Sequence, residues 1–411
     1  MKEKSKFSKV LIIFFLTLIA LFSVFYFGYT SGYKAGTTSA PPEYIENARE
    51  NMPTSVDFSL FWQTWNKARE LFIGDSNPEE MIYGAISGMV SALGDPYTAF
   101  LKPSDNQKFS EDLSGEFNGI GAELTLQNGK IVVVAPLSSS PAEKAGIKAK
   151  DIIIEIDGVS TGDMSLDQAV DKIRGNAGTK VKLKIIRTNI EDPLEFDIIR
   201  ENIKIDSVTY NSQDIVGKQI AVIKVSQFGD DTMILAEKYA KQIIKDGADG
   251  IILDLRNNPG GYLDSSVSFA SLFLGADKIV VIEVDKYGAK EEYKTDKTPI
   301  LENYPLVVLV NNGSASAAEI VTGAMKDLKR AEIIGERTFG KGSVQALEPL
   351  SYGAALKITI AKWLTPSGVE INSKGIEPDI EVKISDEEKN QNQDPQMEKA
   401  KERIIYKINH L

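Results

Sequence analysis

The stretch Leu306-Val307-Val308-Leu309-Val310-Asn311-Asn312-Gly313-Ser314-Ala315-Ser316-Ala317-Ala318-Glu319 decides how this chain folds. An unbroken aliphatic run reads as a strand buried on both faces, Asn311-Asn312-Gly313 as a turn, and Ala317 onward as a helix. Strand, turn and helix in that order are the unit of a parallel α/β sheet. The same rhythm extends outward. Apolar strands at 220–225, 251–255 and 333–334 alternate with helical stretches at 231–245, 265–274 and 317–328, which predicts a largely parallel, buried sheet with crossover helices.

Ser316 falls at the start of the helix, where unpaired backbone amides and the positive end of the dipole stabilise a developing oxyanion. Ser316 and Glu319 also fit a Ser-x-x-Glu capping box, so a purely structural role competes. The base decides between them. The chain contains one histidine, His410, next to its last residue, so a nucleophilic serine here needs another proton acceptor, and lysine is the natural substitute. Lys341 lies in Thr338-Phe339-Gly340-Lys341-Gly342-Ser343-Val344-Gln345. An ammonium takes no proton at neutral pH, so such a lysine must be desolvated until its pKa falls toward about 7 to 8. Phe339 and Val344 are expected to supply the apolar setting; a plain loop lysine is the other reading. Gln345 would share the face of Lys341 if the segment is helical, and would then orient it by hydrogen bonding. In Asp254-Leu255-Arg256-Asn257-Asn258-Pro259-Gly260-Gly261-Tyr262, paired glycines let backbone approach a ligand closely. The amide of Gly260 or Gly261, with that of Ala317, is a candidate oxyanion hole.

The 411 residues suffice for two or three domains, and the formal charge of -11 with interspersed basic residues excludes nucleic acid as an expected partner. Cysteine is absent, so no disulfide or thiolate metal site forms, and no carboxylate cluster has ligand-like spacing; neither metal nor cofactor is expected. Residues 10–28 are apolar and uncharged after Lys2, Lys4, Lys6 and Lys9. They predict a single-pass anchor with the N-terminus inside and the remainder outside the cytoplasm, with secretion after signal cleavage as the alternative. A Gly-, Ser-, Thr- and Pro-rich linker follows to about residue 43, then two helices between Phe58 and Leu93, then a polar stretch at 104–112.

Phe117-Asn118-Gly119-Ile120-Gly121-Ala122-Glu123-Leu124 places glycines where amides converge on an anion before a strand begins. With Pro141-Ala142-Glu143-Lys144-Ala145-Gly146-Ile147 and Asp151-Ile152-Ile153-Ile154-Glu155-Ile156-Asp157-Gly158 downstream, this region resembles a circularly permuted bacterial PDZ domain. That resemblance implies that Gly119, Ile120 and Gly121 bind a peptide's terminal carboxylate and that the next strand pairs with the peptide. Arg174 matches the position of an arginine thought to couple peptide binding to the active site; as a helix-end cation it also has a plain reading.

Behind this domain, the Gly-Ser-Ala-Ser-Ala-Ala-Glu, Phe-Gly-Lys-Gly-Ser-Val-Gln and Leu-Arg-Asn-Asn-Pro-Gly-Gly segments resemble the carboxyl-terminal processing proteases of peptidase family S41. Thr365 to Gly368 and Gly375 to Asp379 also match, while Ala318 stands where many relatives have serine. The resemblance implies Ser316 as nucleophile, Lys341 as general base and Gln345 as its orienting partner. It further implies protein or peptide substrates with free C-termini, and dimerisation through the terminal helical regions. The expected fold class is multidomain α/β. It comprises a basic tail (1–9), a membrane anchor (10–28), a linker (29–43) and a helical N-terminal region (44–110). A PDZ-like α+β domain (111–200), a crotonase- or ClpP-like protease core (201–384) and a charged C-terminal helix (385–411) complete it. A membrane-anchored PDZ scaffold carrying an inactive hydrolase fold is the alternative, and a crotonase-type hydratase a more distant one.

Overall fold

The computed structural model describes residues 57–410 except 138, 386, 389, 390 and 392. The expected basic tail, membrane span and linker lie outside the described residues, among which no helix is long and apolar enough to cross a membrane. The chain divides into two compact units, one ending at Pro78 and one starting at Glu79. In the first, Phe61 and Trp65 stack one turn apart on the helix Ser59–Leu71, and no residue of that helix is buried.

The second unit contains the predicted parallel sheet. Its strands run in the order Val208–Ile215, Lys218–Val225, Gly250–Asp254, Leu306–Val310, Glu332–Gly335 and Ile380–Glu381, and only the first pair is antiparallel. Both faces are covered, which is why these strands read as continuous aliphatic runs. Ile251, Leu253, Leu306 and Val308 point to one face, against the helices Thr232–Asp246, Leu263–Ser271 and Ala317–Asp327. Ile252, Val307 and Leu309 point to the other, where Ala400 and Ile404 of the helix Pro395–Asn409 are fully buried. Arg256 staples this last helix in place: it pairs with Asp254 at the end of its own strand and reaches Asp394 at 2.8 Å and Gln396 at 3.2 Å.

A second, antiparallel sheet was not legible in the sequence. The strand Ala355–Leu364 is its spine, paired with Ser343–Pro349 along its length, with Ala99–Leu101 at its start and with Ile279–Asp285 at its end. Its strands Ser343–Pro349 and Lys290–Lys294 mix polar with apolar residues, the latter with Tyr293 as its one apolar side chain, so long-range pairing rather than local pattern creates them. The polar stretch at 104–112 forms the helix Pro103–Ser114, with Pro103 in its first turn and Gly115 in the left-handed region behind it. No residue of this helix is fully buried, which hid it from a search for an apolar face.

The PDZ-like sheet follows the order Ala122–Gln127, Lys130–Pro136, Ile152–Ile156, Lys180–Ile186 and Leu194–Ile199, around a core that includes Ile131, Ile153, Leu183 and Ile185. The strand Ala122–Gln127 is an edge, open to pairing. The chain enters and leaves this domain through the paired strands Glu116–Gly119 and Glu201–Lys204.

Candidate active site

Three adjacent parallel strands, Gly250–Asp254, Leu306–Val310 and Glu332–Gly335, end side by side, and each releases one of the three motif segments. Crevices at the carboxyl ends of parallel strands are where such sheets bind ligands. Side chains lock the first two loops together. Asn311 Oδ1 accepts from Asn257 N–H at 2.9 Å, Ser314 Oγ donates to Leu255 O at 2.8 Å, and Ala315 N–H donates to Asn258 O at 2.9 Å. The third loop is tied to them by Phe339 N–H, which donates to Ser314 O at 2.9 Å.

Glu319 completes the assembly. Fully buried, its carboxylate accepts from Ser316 N–H at 2.9 Å, Lys341 N–H at 2.8 Å, Gly340 N–H at 2.7 Å and Thr338 Oγ1 at 2.5 Å. Burial pushes its pKa up, against the downward pull of those four hydrogen bonds. The carboxylate thus reaches back to the helix start, as a capping box requires. Ser316 itself is held at φ 53 and ψ -117, a region that side chains other than glycine's rarely enter. Ser316 lines a cavity of about 580 Å³.

Lys341 and Gln345 line the same cavity as Ser316, so the structure brings the three predicted residues together. Burial lowers the Lys341 pKa, the nearby positive charge of Lys357 lowers it further, and Glu319 opposes both. Phe339 does not provide the expected cover; its ring is 59% exposed and points away with the loop. Instead the ring of Tyr97 faces Lys341, with its centroid 5.5 Å from Nζ. Gln345 lies on the strand Ser343–Pro349 and not on a helix, so it shares no helical face with Lys341. Its Nε2 donates to Ser343 Oγ at 2.7 Å and Thr359 Oγ1 at 3.4 Å. No direct hydrogen bond joins Ser316 and Lys341 among the described residues.

Of the candidate oxyanion donors, Gly260 N–H is already engaged by Asn258 Oδ1 at 2.9 Å. Among the described residues the N–H groups of Gly261 and Ala317 have no hydrogen-bond partner, and both residues line the cavity. Gly260 serves by its size: at φ 107, a Cβ there would lie 2.6 Å from the Ser316 Cβ. The helix Pro103–Ser114 forms another wall through Phe109 and Leu113, and Gln227 holds its end by donating to Asp112 O at 2.9 Å.

In the PDZ-like domain, the N–H groups of Ile120 and Gly121, beside the open edge strand, have no hydrogen-bond partner among the described residues, although the Ile120 side chain is itself buried in the core. Gly119 ends the preceding strand, 3.9 Å short of the Arg174 side chain for a Cβ placed on it. Arg174 is not a solvated helix end. Its guanidinium lies 3.6 Å from Asp112 Oδ1 and 4.8 Å over the Phe117 ring, and Asp112 lines the cavity that holds Ser316, Lys341 and Gln345. The sequence reading passed over Tyr97 and Lys357; the turn signal Gly94-Asp95-Pro96 beside an aromatic residue was the available clue to the first.

A largely parallel α/β core joined to a small domain with its own antiparallel sheet defines a multidomain α/β protein. Residues 219–382 match the model of peptidase family S41 and residues 132–187 that of a PDZ domain. Over 308 residues, 74% of this chain and 61% of the relative, it is 42% identical to a probable CtpA-like serine protease of Staphylococcus haemolyticus. Over 324 residues, 78% of this chain and 67% of the relative, it is 38% identical to the carboxy-terminal processing protease CtpB of Bacillus subtilis. The chain therefore spans roughly two thirds of the length of these curated relatives. Among solved structures, a photosystem II D1 C-terminal processing protease is 33% identical and superposes with a TM-score of 0.50, covering 80% of this chain and 89% of that one. The chain belongs to peptidase family S41.

Proposed function

We propose that this chain is a serine endopeptidase that captures the C-terminus of a protein in its PDZ domain and cuts near that end with Ser316 and Lys341. The observation that carries this reading is the Glu319 carboxylate, which accepts from the backbone N–H groups of both residues and sets them in one cavity. Lys341, its pKa lowered by burial, takes the Ser316 proton in its amine form as Oγ attacks the peptide carbonyl. The amides of Gly261 and Ala317 hold the oxyanion, the lysine returns its proton to the leaving amine, and water releases the acyl-enzyme. Gln345 assists by orienting groups at the cavity wall.

The terminal carboxylate would sit on the Ile120 and Gly121 amides while the adjoining edge strand pairs with the peptide. The relatives' names, carboxy-terminal processing protease and D1 C-terminal processing protease, support this substrate class. The anchor at residues 10–28 would place the catalytic region on the extracytoplasmic side of the cell membrane, so substrates would be exported or membrane proteins. A second copy of the chain would cover the exposed Trp62 and Leu71 of the N-terminal helix.

The test is cleavage of an unfolded protein with a free apolar C-terminus by the detergent-solubilised chain and its Ser316→Ala and Lys341→Ala variants. Cleavage by the parent alone, at internal bonds near the C-terminus, is expected. Substantial activity in folded Lys341→Ala would refute the assigned base, and no cleavage by the parent would favour the scaffold reading.

A further inference from the structure

We propose that Tyr97 is a positioning residue for this reaction, its ring stabilising the positive charge that Lys341 acquires when it takes the Ser316 proton. The inference rests on Lys341 being the base. That base has two conflicting requirements: neutrality at rest and a positive charge in the transition state. Burial and Lys357, on the strand Ala355–Leu364, serve the first. A carboxylate beside Nζ would serve the second only by holding the lysine protonated throughout. Lys341 Nζ has neither an ion pair nor a hydrogen bond among the described residues, and Glu319, the acid acting on it, is spent on backbone N–H groups. An aromatic face serves the second at less cost to the first than a carboxylate would, because its quadrupole attracts an ammonium without carrying a full charge.

The ring is also held where it must be. Asp95 accepts from Tyr97 N–H at 3.2 Å and from Thr98 Oγ1 at 2.5 Å. Thr98, itself buried, accepts from Thr359 N–H at 3.1 Å, and the next residues pair with Ala355, Leu356 and Lys357. Thr359 lies opposite Gln345 in the register. The turn at Gly94 to Thr98 is thus clamped to the strand that carries both Lys357 and the partner of Gln345, although it comes from the far end of the chain. The groups facing Lys341 are then Ser316 and Glu319 from the helix and its start, Lys357 from the sheet, and Tyr97 from this turn.

The experiment compares the full chain with Tyr97→Phe and Tyr97→Leu. It reads the pH dependence of kcat/KM and, in the Ser316→Ala background, the NMR titration of Lys341 in isotope-labelled protein, assigned by its loss in Lys341→Arg. Tyr97→Leu keeps apolar cover and removes the ring; its kcat is expected to fall about twofold to thirtyfold with KM little changed. Losing a group that favours the ammonium lowers the Lys341 midpoint, whereas Tyr97→Phe, which keeps the ring, restores both the rate and the midpoint. An unchanged or raised midpoint in Tyr97→Leu, or an equal change in Tyr97→Phe, would overturn the proposal. Absence of cleavage by the parent chain would count against the protease reading, while the titration would still decide whether the ring acts on Lys341.

Discussion

Ser316 and Lys341 donate their backbone N–H groups to the same atom, Glu319 Oε2, at 2.9 and 2.8 Å. The candidate nucleophile and base are therefore registered through main chain and one buried acid, and neither side chain is needed for the arrangement. Glu319→Gln leaves one acceptor oxygen and introduces two donors facing donors, so several of the four hydrogen bonds are lost. A loss of about 2 to 4 kcal/mol in denaturant titration is expected, with peptidase activity falling out of proportion to the folded fraction. A stable and active Glu319→Gln variant would show that the loops hold themselves.

Lys357 and Lys341 repel across the cavity, and this is one of the two causes that lower the Lys341 pKa. Replacing Lys357 with Met removes a charge that disfavours the ammonium, so the Lys341 pKa rises and more of it is protonated at neutral pH. The acidic limb of the kcat/KM profile should move to higher pH, with lower activity at pH 7. A limb that stays in place, or moves down, would separate Lys341 from that ionisation.

Gly260 leaves no room for a side chain next to Ser316. With a Cβ built 2.6 Å from the Ser316 Cβ and 3.0 Å from the Ala317 nitrogen, Gly260→Ala must displace the nucleophile or the oxyanion donor. An activity loss of about a hundredfold or more is expected, since shifts near 1 Å have that cost. The complementary change, Ser316→Gly, relieves the strained φ of 53 and should raise stability by about 1 to 3 kcal/mol while abolishing cleavage. Thermal melting of both variants beside a peptide-cleavage assay checks the pair.

Arg256 bridges Asp254 in the core and Asp394 before the C-terminal helix, with its side chain 13% exposed. Arg256→Met strips a buried carboxylate of its partner. A cost of about 3 to 5 kcal/mol is expected, together with earlier protease nicking around residues 385–394 than in the parent chain. Equal stability and equal nicking would show that the apolar face of Ala400 and Ile404 docks the helix unaided.

The aliphatic strands, the glycine turns and the helix beginning at Ala317 could be read directly from sequence, because buried parallel strands and capped helices are encoded by neighbouring residues. The absence of an imidazole among the motif segments is legible too, since the single histidine is His410. Tertiary structure alone decided the rest. The strand Ser343–Pro349 is a half-polar ribbon made by long-range pairing with Ala355–Leu364, so Gln345 could not be placed on a strand, nor Lys357 beside Lys341, from local pattern. Glu319 looked like a helix cap because the serine-to-glutamate spacing is local, whereas its bonds to Gly340 and Lys341 cross between elements. Tyr97, in a region whose sequence suggested only helices, meets Lys341 because three residues of the chain after Thr98 add a strand to the sheet. Local physics writes elements into sequence; which side chains meet at their ends is set by how distant strands pair and pack.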